Sequence, residues 1–286
     1  MNTFPNYTYK SVTYFAITIG ITWASLFLAA YFSHTEGLED YMAIAMLPSL
    51  LTPFAVALIM IYGSRNKGLI KDFKHRLLNF GDIRLNYRWA ILVLMPAVVL
   101  WATSISLIFG QSAQQFSFSD QFAIMSGALF LSIAILFLAP TFEELGWRGY
   151  GMDSLLKGKS LLNASLLFSL LWGLWHLPLF FIKGYYHYEI LQMSPVYAVN
   201  YFVALIPAVI LSNWIYYKNG RSIIAIIIFH FILNLSSVVL QTEQFTKCIV
   251  TIVLILVSVL VIWKNKDFFL TKTDSISNNI NTNIAS

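Results

Sequence analysis

Charge is what this sequence has least of. Only 11% of its 286 residues are Asp, Glu, Lys or Arg, against roughly 25% in an ordinary soluble domain. Cysteine is nearly absent too. Cys248 stands alone, which excludes an internal disulfide and a thiolate metal site, and it reads as a small buried hydrophobe. Several signatures are missing: there is no His-Glu-x-x-His, no Gly-x-Ser-x-Gly and no Gly-x-x-x-x-Gly-Lys-[Ser/Thr]. No internal repeat is strong enough to argue an inverted-repeat transporter.

What is present is apolar: 58% of the chain is hydrophobic and 16% aromatic, in long runs rather than alternation. At about 20 residues per crossing, eight runs are long enough to span a membrane. They are Val12–Phe32, Met42–Tyr62, Trp89–Gly110, Phe122–Phe142, Leu161–Ile182, Val196–Tyr217, Ile223–Leu240 and Ile249–Trp263. The expected fold is therefore all-α, a polytopic membrane protein of about eight transmembrane helices. Lys10 before the first run resembles a signal peptide, but the apolar core is too long for one, so the run reads as a retained anchor. Residues 1–270 form one transmembrane domain, and the Asn/Ser/Thr-rich stretch 271–286 is expected to be disordered.

The net charge of +5 would point to nucleic acid only if position were ignored. Arg65, Lys67, Lys71, Lys74, Arg76, Arg84 and Arg88 follow the second run; Lys157 and Lys159 the fourth; Lys218 and Arg221 the sixth; Lys264, Lys266 and Lys272 the eighth. The alternate loops hold Glu36, Glu39, Asp40, Asp120, Glu189 and Glu243, with Lys183 and Lys247 as their only basic residues. By the positive-inside rule both termini are cytoplasmic. Between runs two and three, Leu69, Ile70, Phe73, Leu77 and Leu78 recur at helical spacing among basic residues. An amphipathic helix in the inner headgroup layer and a solvated basic loop fit equally.

Ionisable groups inside lipid are expensive and start as functional candidates. Glu143 and Glu144 follow the fourth run, with Arg148 four residues past the second acid. His176 closes Trp172-Gly-Leu-Trp-His176, and His230 opens His230-Phe-Ile-Leu-Asn234. Spacing of four puts each pair on one helix face, so Glu144 can pair with Arg148 while Glu143 points about 100° away with no local cation. A desolvated carboxylate can take a proton from water, imidazoles can bind a metal or hold the water, and an amide can donate to an oxyanion. These groups together suit amide hydrolysis. Singly, each histidine could be a packing residue, Asn234 interhelical glue, and Trp172 and Trp175 ordinary core. His187 lies in an outer loop and carries no functional claim.

Glu-Glu-x-x-x-Arg, aromatic-x-x-x-His and His-x-x-x-Asn, in this order and in separate apolar segments, resemble the CAAX-protease and bacteriocin-processing (CPBP, or Abi) family of intramembrane proteases. The resemblance covers about residues 122–240, and Trp172 stands where Phe is commoner. It implies an eight-helix membrane endopeptidase in which Glu143 activates water with His176 beside it, while His230 and Asn234 bind the oxyanion. Glu144 and Arg148 then act as supports. In the metal version zinc, which wants three protein ligands and a water, takes Glu143, His176 and His230, and the base moves to Glu144; the metal-free route is preferred. The expected partners are a peptide or membrane-protein substrate and the bilayer of the cell membrane, with no nucleic acid. No prenyl-binding groove is legible. A catalytically silent scaffold or bacteriocin-immunity protein of the same fold is the alternative reading, and a proton-coupled transporter a weaker one.

Depth poses a difficulty. Counted along ideal helices, Glu143 lies ~34 Å from Asp120, His176 ~24 Å from Ser160 and His230 ~13 Å from Arg221. They meet only if the fourth and fifth helices run past the hydrocarbon boundary and Pro140 turns the acids inward.

Overall fold

A bilayer offers no water to backbone N–H and C=O groups, so a chain this apolar must close its hydrogen bonds within helices. The computed structural model describes residues 5–78, 81, 83–119, 122 and 129–272, and among them there is no strand. Residues 123–128, at the head of the expected fourth span, and 273–286, within the expected disordered tail, lie outside the described residues. The helices are α1 (Ser11–Ser33), α2 (Met42–Gly63), α3 (Lys67–Leu78), α4 (Leu85–Leu92), α5 (Leu94–Ile108) and α6 (Leu129–Gly146). They continue with α7 (Met152–Leu156), α8 (Leu161–His176), α9 (Tyr186–Met193), α10 (Pro195–Lys218), α11 (Ile223–Val238), α12 (Gln244–Lys264) and α13 (Lys266–Leu270).

The chain is a helical polytopic membrane protein. Among the described residues six helical stretches are long and apolar enough to cross a membrane, and two shorter apolar helices, α5 and α11, stand where the third and seventh spans are expected. Outward-facing apolar side chains such as Phe130, Leu131, Ile135 and Leu260 are exposed, as suits a lipid-facing surface.

Three expected spans need correction. The third is broken at Val93 between α4 and α5, because Pro96 lacks the N–H that would bond Leu92 and its ring crowds that carbonyl. The fifth is helical only to His176 and then tightens to a 3-10 turn over Leu177–Phe181. Pro178 denies Leu174 its i+4 donor, and Trp23 Nε1 donates to that carbonyl at 2.8 Å. The fourth does not end at Phe142. It runs through α6, a π-turn over Trp147–Gly151 and α7 as one stretch, Leu129–Leu156.

This last correction removes the depth difficulty. Counted back from Leu156, Glu143 lies ~20 Å along its helix, and His176 lies ~22 Å from the start of α8 at Leu161, so the two are level. Arg221 is not a surface marker either. It is buried, bonded to Asp72 at 2.8 and 3.0 Å and to Asp153. Nine residues separate Glu144 from Asp153 and nine separate Arg221 from His230. The pairs Asp153–Arg221 and Glu144–His230 are thus two rungs between the fourth-span stretch and the segment that ends in α11.

The segment between α2 and α4 is helical, resolving the open choice there: Leu69 and Phe73 of α3 are buried while Lys67, Lys71 and Lys74 are exposed. Arg76 from the same helix reaches inward. It bonds Asp72 at 2.8 Å, Tyr216 Oη at 2.7 Å, and the backbone carbonyls of Arg148 and Gly149 at 2.6 and 2.9 Å. Two arginines and two aspartates (Arg76, Arg221, Asp72, Asp153) balance one another in this cluster, which is what makes burying three of these charges against a half-buried Asp72 tolerable.

Close approach fixes where α6 meets α2. A Cβ on Gly146 would stand 2.3 Å from the carbonyl carbon of Pro53 and 2.5 Å from its oxygen. Backbone cannot yield as a side chain does, so Gly146→Ala should destabilise by at least ~1–3 kcal/mol, the usual scale of overpacking. Thermal unfolding of the purified protein in detergent measures this, and an unchanged midpoint would contradict the packing described.

Candidate active site

Glu143 and Glu144 occupy the last turn of α6 and are both buried. Successive helical residues diverge by about 100°, so the two acids meet different neighbours. Glu144 accepts from Arg148 Nη1 at 2.8 Å on each oxygen and from His230 Nδ1 at 2.8 Å. Arg148 also donates to Asn213 Oδ1 at 3.3 Å and lies 5.2 Å from the centroid of the Phe168 ring. Asn213 in turn donates to Ser165 Oγ at 2.9 Å. The expected Glu144–Arg148 pair is thus present, and Glu144 is fully engaged.

Glu143 has no ion pair among the described residues. Its Oε2 accepts one hydrogen bond, from Trp172 Nε1 at 3.1 Å. Trp172 is therefore more than core packing. Its ring lies edge-on to both histidines, 5.1 Å from His176 and 5.5 Å from His230. Glu143, Glu144, Arg148, Trp172, His176 and His230 are accordingly brought together. Asn234 is one turn beyond His230 on α11, half-buried, and its side chain makes no hydrogen bond to any described residue.

The histidine tautomers follow from their partners. His176 Nδ1 lies 2.8 Å from the Trp172 carbonyl, and His230 Nδ1 lies 2.8 Å from the Glu144 carboxylate. Both partners only accept, so each Nδ1 carries a proton and Nε2 is the ring nitrogen left to face the site. Metal-binding histidines are often held this way. Yet among the described residues no three His, Cys, Asp or Glu side chains come together where one ion could be held. Glu144 is already spent on Arg148 and His230. The set Glu143, His176 and His230 does not fit a zinc site as arranged.

The structure adds residues that motif reading passed over. Asn213 and Ser165 are polar groups inside spans, a signal that was available. His187 is not a free loop residue: it is buried, with ring centroids 6.1 Å from His176 and 4.4 Å from Tyr201. Burial first, and His176 second, push His187 well below its ordinary range, so it is a neutral imidazole. Tyr185 stacks on it at 5.6 Å, and burial followed by the Glu143 carboxylate pushes the Tyr185 hydroxyl up.

With this geometry in hand, comparison with known proteins is decisive. Residues 125–236 match the family model described as type II CAAX prenyl endopeptidase Rce1-like. A CAAX prenyl protease 2 of Methanococcus maripaludis is 41% identical over 267 residues, covering 93% of this chain and 98% of that protein. The chain belongs to the type II CAAX prenyl endopeptidase family. It is accordingly a multi-pass membrane endopeptidase acting on a peptide or protein substrate in the membrane.

Truncating Arg148 would leave Glu144 buried beside a histidine alone. Arg148→Met should cost ~3–5 kcal/mol, the scale for breaking a buried pair, and Arg148→Met with Glu144→Gln should recover part of it. Unfolding midpoints of the two variants test this; a double variant no more stable than the single would argue against direct coupling.

Proposed function

We propose that this endopeptidase works by glutamate-activated water without a metal, with Glu143 as the base. The supporting observation is the asymmetry of the acid pair: Glu144 holds three hydrogen bonds to Arg148 and His230, whereas Glu143 holds one, from an uncharged indole. A carboxylate so lightly solvated has its basicity to spend on a water. His176 Nε2 accepts the second hydrogen of that water and orients its oxygen. As the oxygen attacks the peptide carbonyl, Glu143 takes the proton; as the C–N bond breaks, Glu143 returns it to the leaving amine.

The oxyanion needs donors. Asn234 has an amide that no described residue occupies. His230, with its Nδ1–H committed to Glu144, can donate through Nε2 only as an imidazolium, and Glu144 is the carboxylate that would share this charge. Arg148 fixes Glu144 and so positions His230.

The substrate class we propose is a protein ending in a prenylated CAAX motif at the cell membrane; the Methanococcus maripaludis relative is named a CAAX prenyl protease. An apolar groove of about 400 Å³ between α8 and α10, lined by Leu170, Gly173, Leu174, Val199, Phe202 and Ile206, supports this reading. Gly173 in its lining is one turn before His176 on α8.

The test is cleavage of a farnesylated CAAX peptide, read by mass spectrometry, by wild type and Glu143→Gln. Wild type should cleave and Glu143→Gln should lose at least ~10³-fold, beyond the ~10²–10⁴-fold scale's lower end for one acid–base group. Equal cleavage by both removes Glu143 from the mechanism, and cleavage by neither favours the silent-scaffold reading. Trp172→Phe keeps the ring but drops the indole donor. It should lower kcat/KM ~10- to 100-fold, since a hydrogen bond to a charged group is worth ~1.5–3 kcal/mol; an unchanged kcat/KM would return Trp172 to a packing role.

A further inference from the structure

His187 is the buried polar group that neither the motifs nor the mechanism uses. It is 8% exposed, and neither Nδ1 nor Nε2 has a hydrogen-bond partner. The ring sits in a box of aromatic rings: Phe180 at 5.2 Å, Tyr185 at 5.6 Å, Tyr186 at 5.5 Å and Tyr201 at 4.4 Å. His176 is a further neighbour, nearly parallel at 23° and 6.1 Å away. Leaving a buried polar group unpaired costs ~1–3 kcal/mol, and an apolar side chain would fill the same box without that cost. Such an exception in a native fold asks for an explanation.

The surroundings show that the ring is held in place. Gly184, in the left-handed region at φ +78°, turns the chain into α9. Buried Ile190, one turn after His187, packs with Phe180 and Ala198 and anchors that helix. His187 is thus presented beside His176 by a short anchored helix.

We propose that His187 is a substrate-contacting residue, its ring nitrogens hydrogen-bonding the backbone of the bound peptide next to the bond being cut. A neutral imidazole has one N–H and one lone pair, matching the carbonyl and N–H that any peptide backbone presents. The contact is blind to side chains, so it supplies register, placing the scissile carbonyl at Glu143 and His176. This rests on the endopeptidase reading above.

The variants are His187→Phe, which fills the box without polar atoms, and His187→Gln, which restores a donor and an acceptor. The probe is a farnesylated CAAX peptide. Its Kd is measured on the inactive Glu143→Gln background, and KM and kcat on the active protein. His187→Phe should weaken Kd and raise KM about tenfold, with the loss in KM rather than kcat, since a contact made equally in ground and transition states is lost as uniform binding. His187→Gln should recover part of the affinity. An unchanged Kd in the Phe variant, or equal losses in both variants with a lowered unfolding midpoint, overturns the proposal and leaves His187 as packing. Because Kd is read without hydrolysis, a protein that binds through His187 but never cleaves would count against the protease reading alone.

Discussion

The guanidinium of Arg148 is the point on which the other parts of this site depend. Its side chain holds Glu144, and through Glu144 the ring of His230; its backbone carbonyl is held by Arg76 and by Tyr216, which donates at 3.0 Å. Nη1 of that guanidinium meets both carboxylate oxygens of Glu144, while Nη2 reaches Asn213. Since both partners are buried, neither can turn to water, and the arrangement is enforced by what separating it would cost. Glu143, one residue earlier, inherits this rigidity while staying outside the pair.

Family membership and geometry contribute different things. The comparisons establish that the chain is a membrane endopeptidase. They do not say which oxygen holds which nitrogen. The division of labour within the acid pair comes from counting hydrogen bonds, and the tautomers of His176 and His230 come from partners that can only accept. Glu143, by contrast with Glu144, has no ion pair among the described residues and accepts from the Trp172 indole.

Much of this was legible in the sequence because the informative spacings are local. Four-residue intervals place Glu144 by Arg148, Trp172 by His176 and His230 by Asn234 whatever the rest of the chain does. The long apolar runs likewise located the apolar helices. What could not be read depends on contacts across long separations. Asp72, Asp153 and Arg221 look like ordinary loop charges until they neutralise one another, and taking Arg221 as a surface marker is what made His230 seem too shallow. His187 was passed over because a loop histidine normally meets water; its burial is created by Phe180 and Tyr201 from neighbouring elements. Trp172 was read for its bulk, while the single N–H on its edge is what touches the acid.

The π-turn over Trp147–Gly151 has a consequence for how this helix can change over time. Spending one extra residue on a turn makes everything beyond it lag by about 100°. On an uninterrupted helix, residues nine apart such as Glu144 and Asp153 would face opposite ways; with the lag they come within about a right angle. The turn therefore acts as a phase shifter between a chemical half and an anchoring half. A one-residue deletion there would rotate the anchor away from Arg221 and Arg76, so the stretch is constrained in length as well as in the identity of its buried residues.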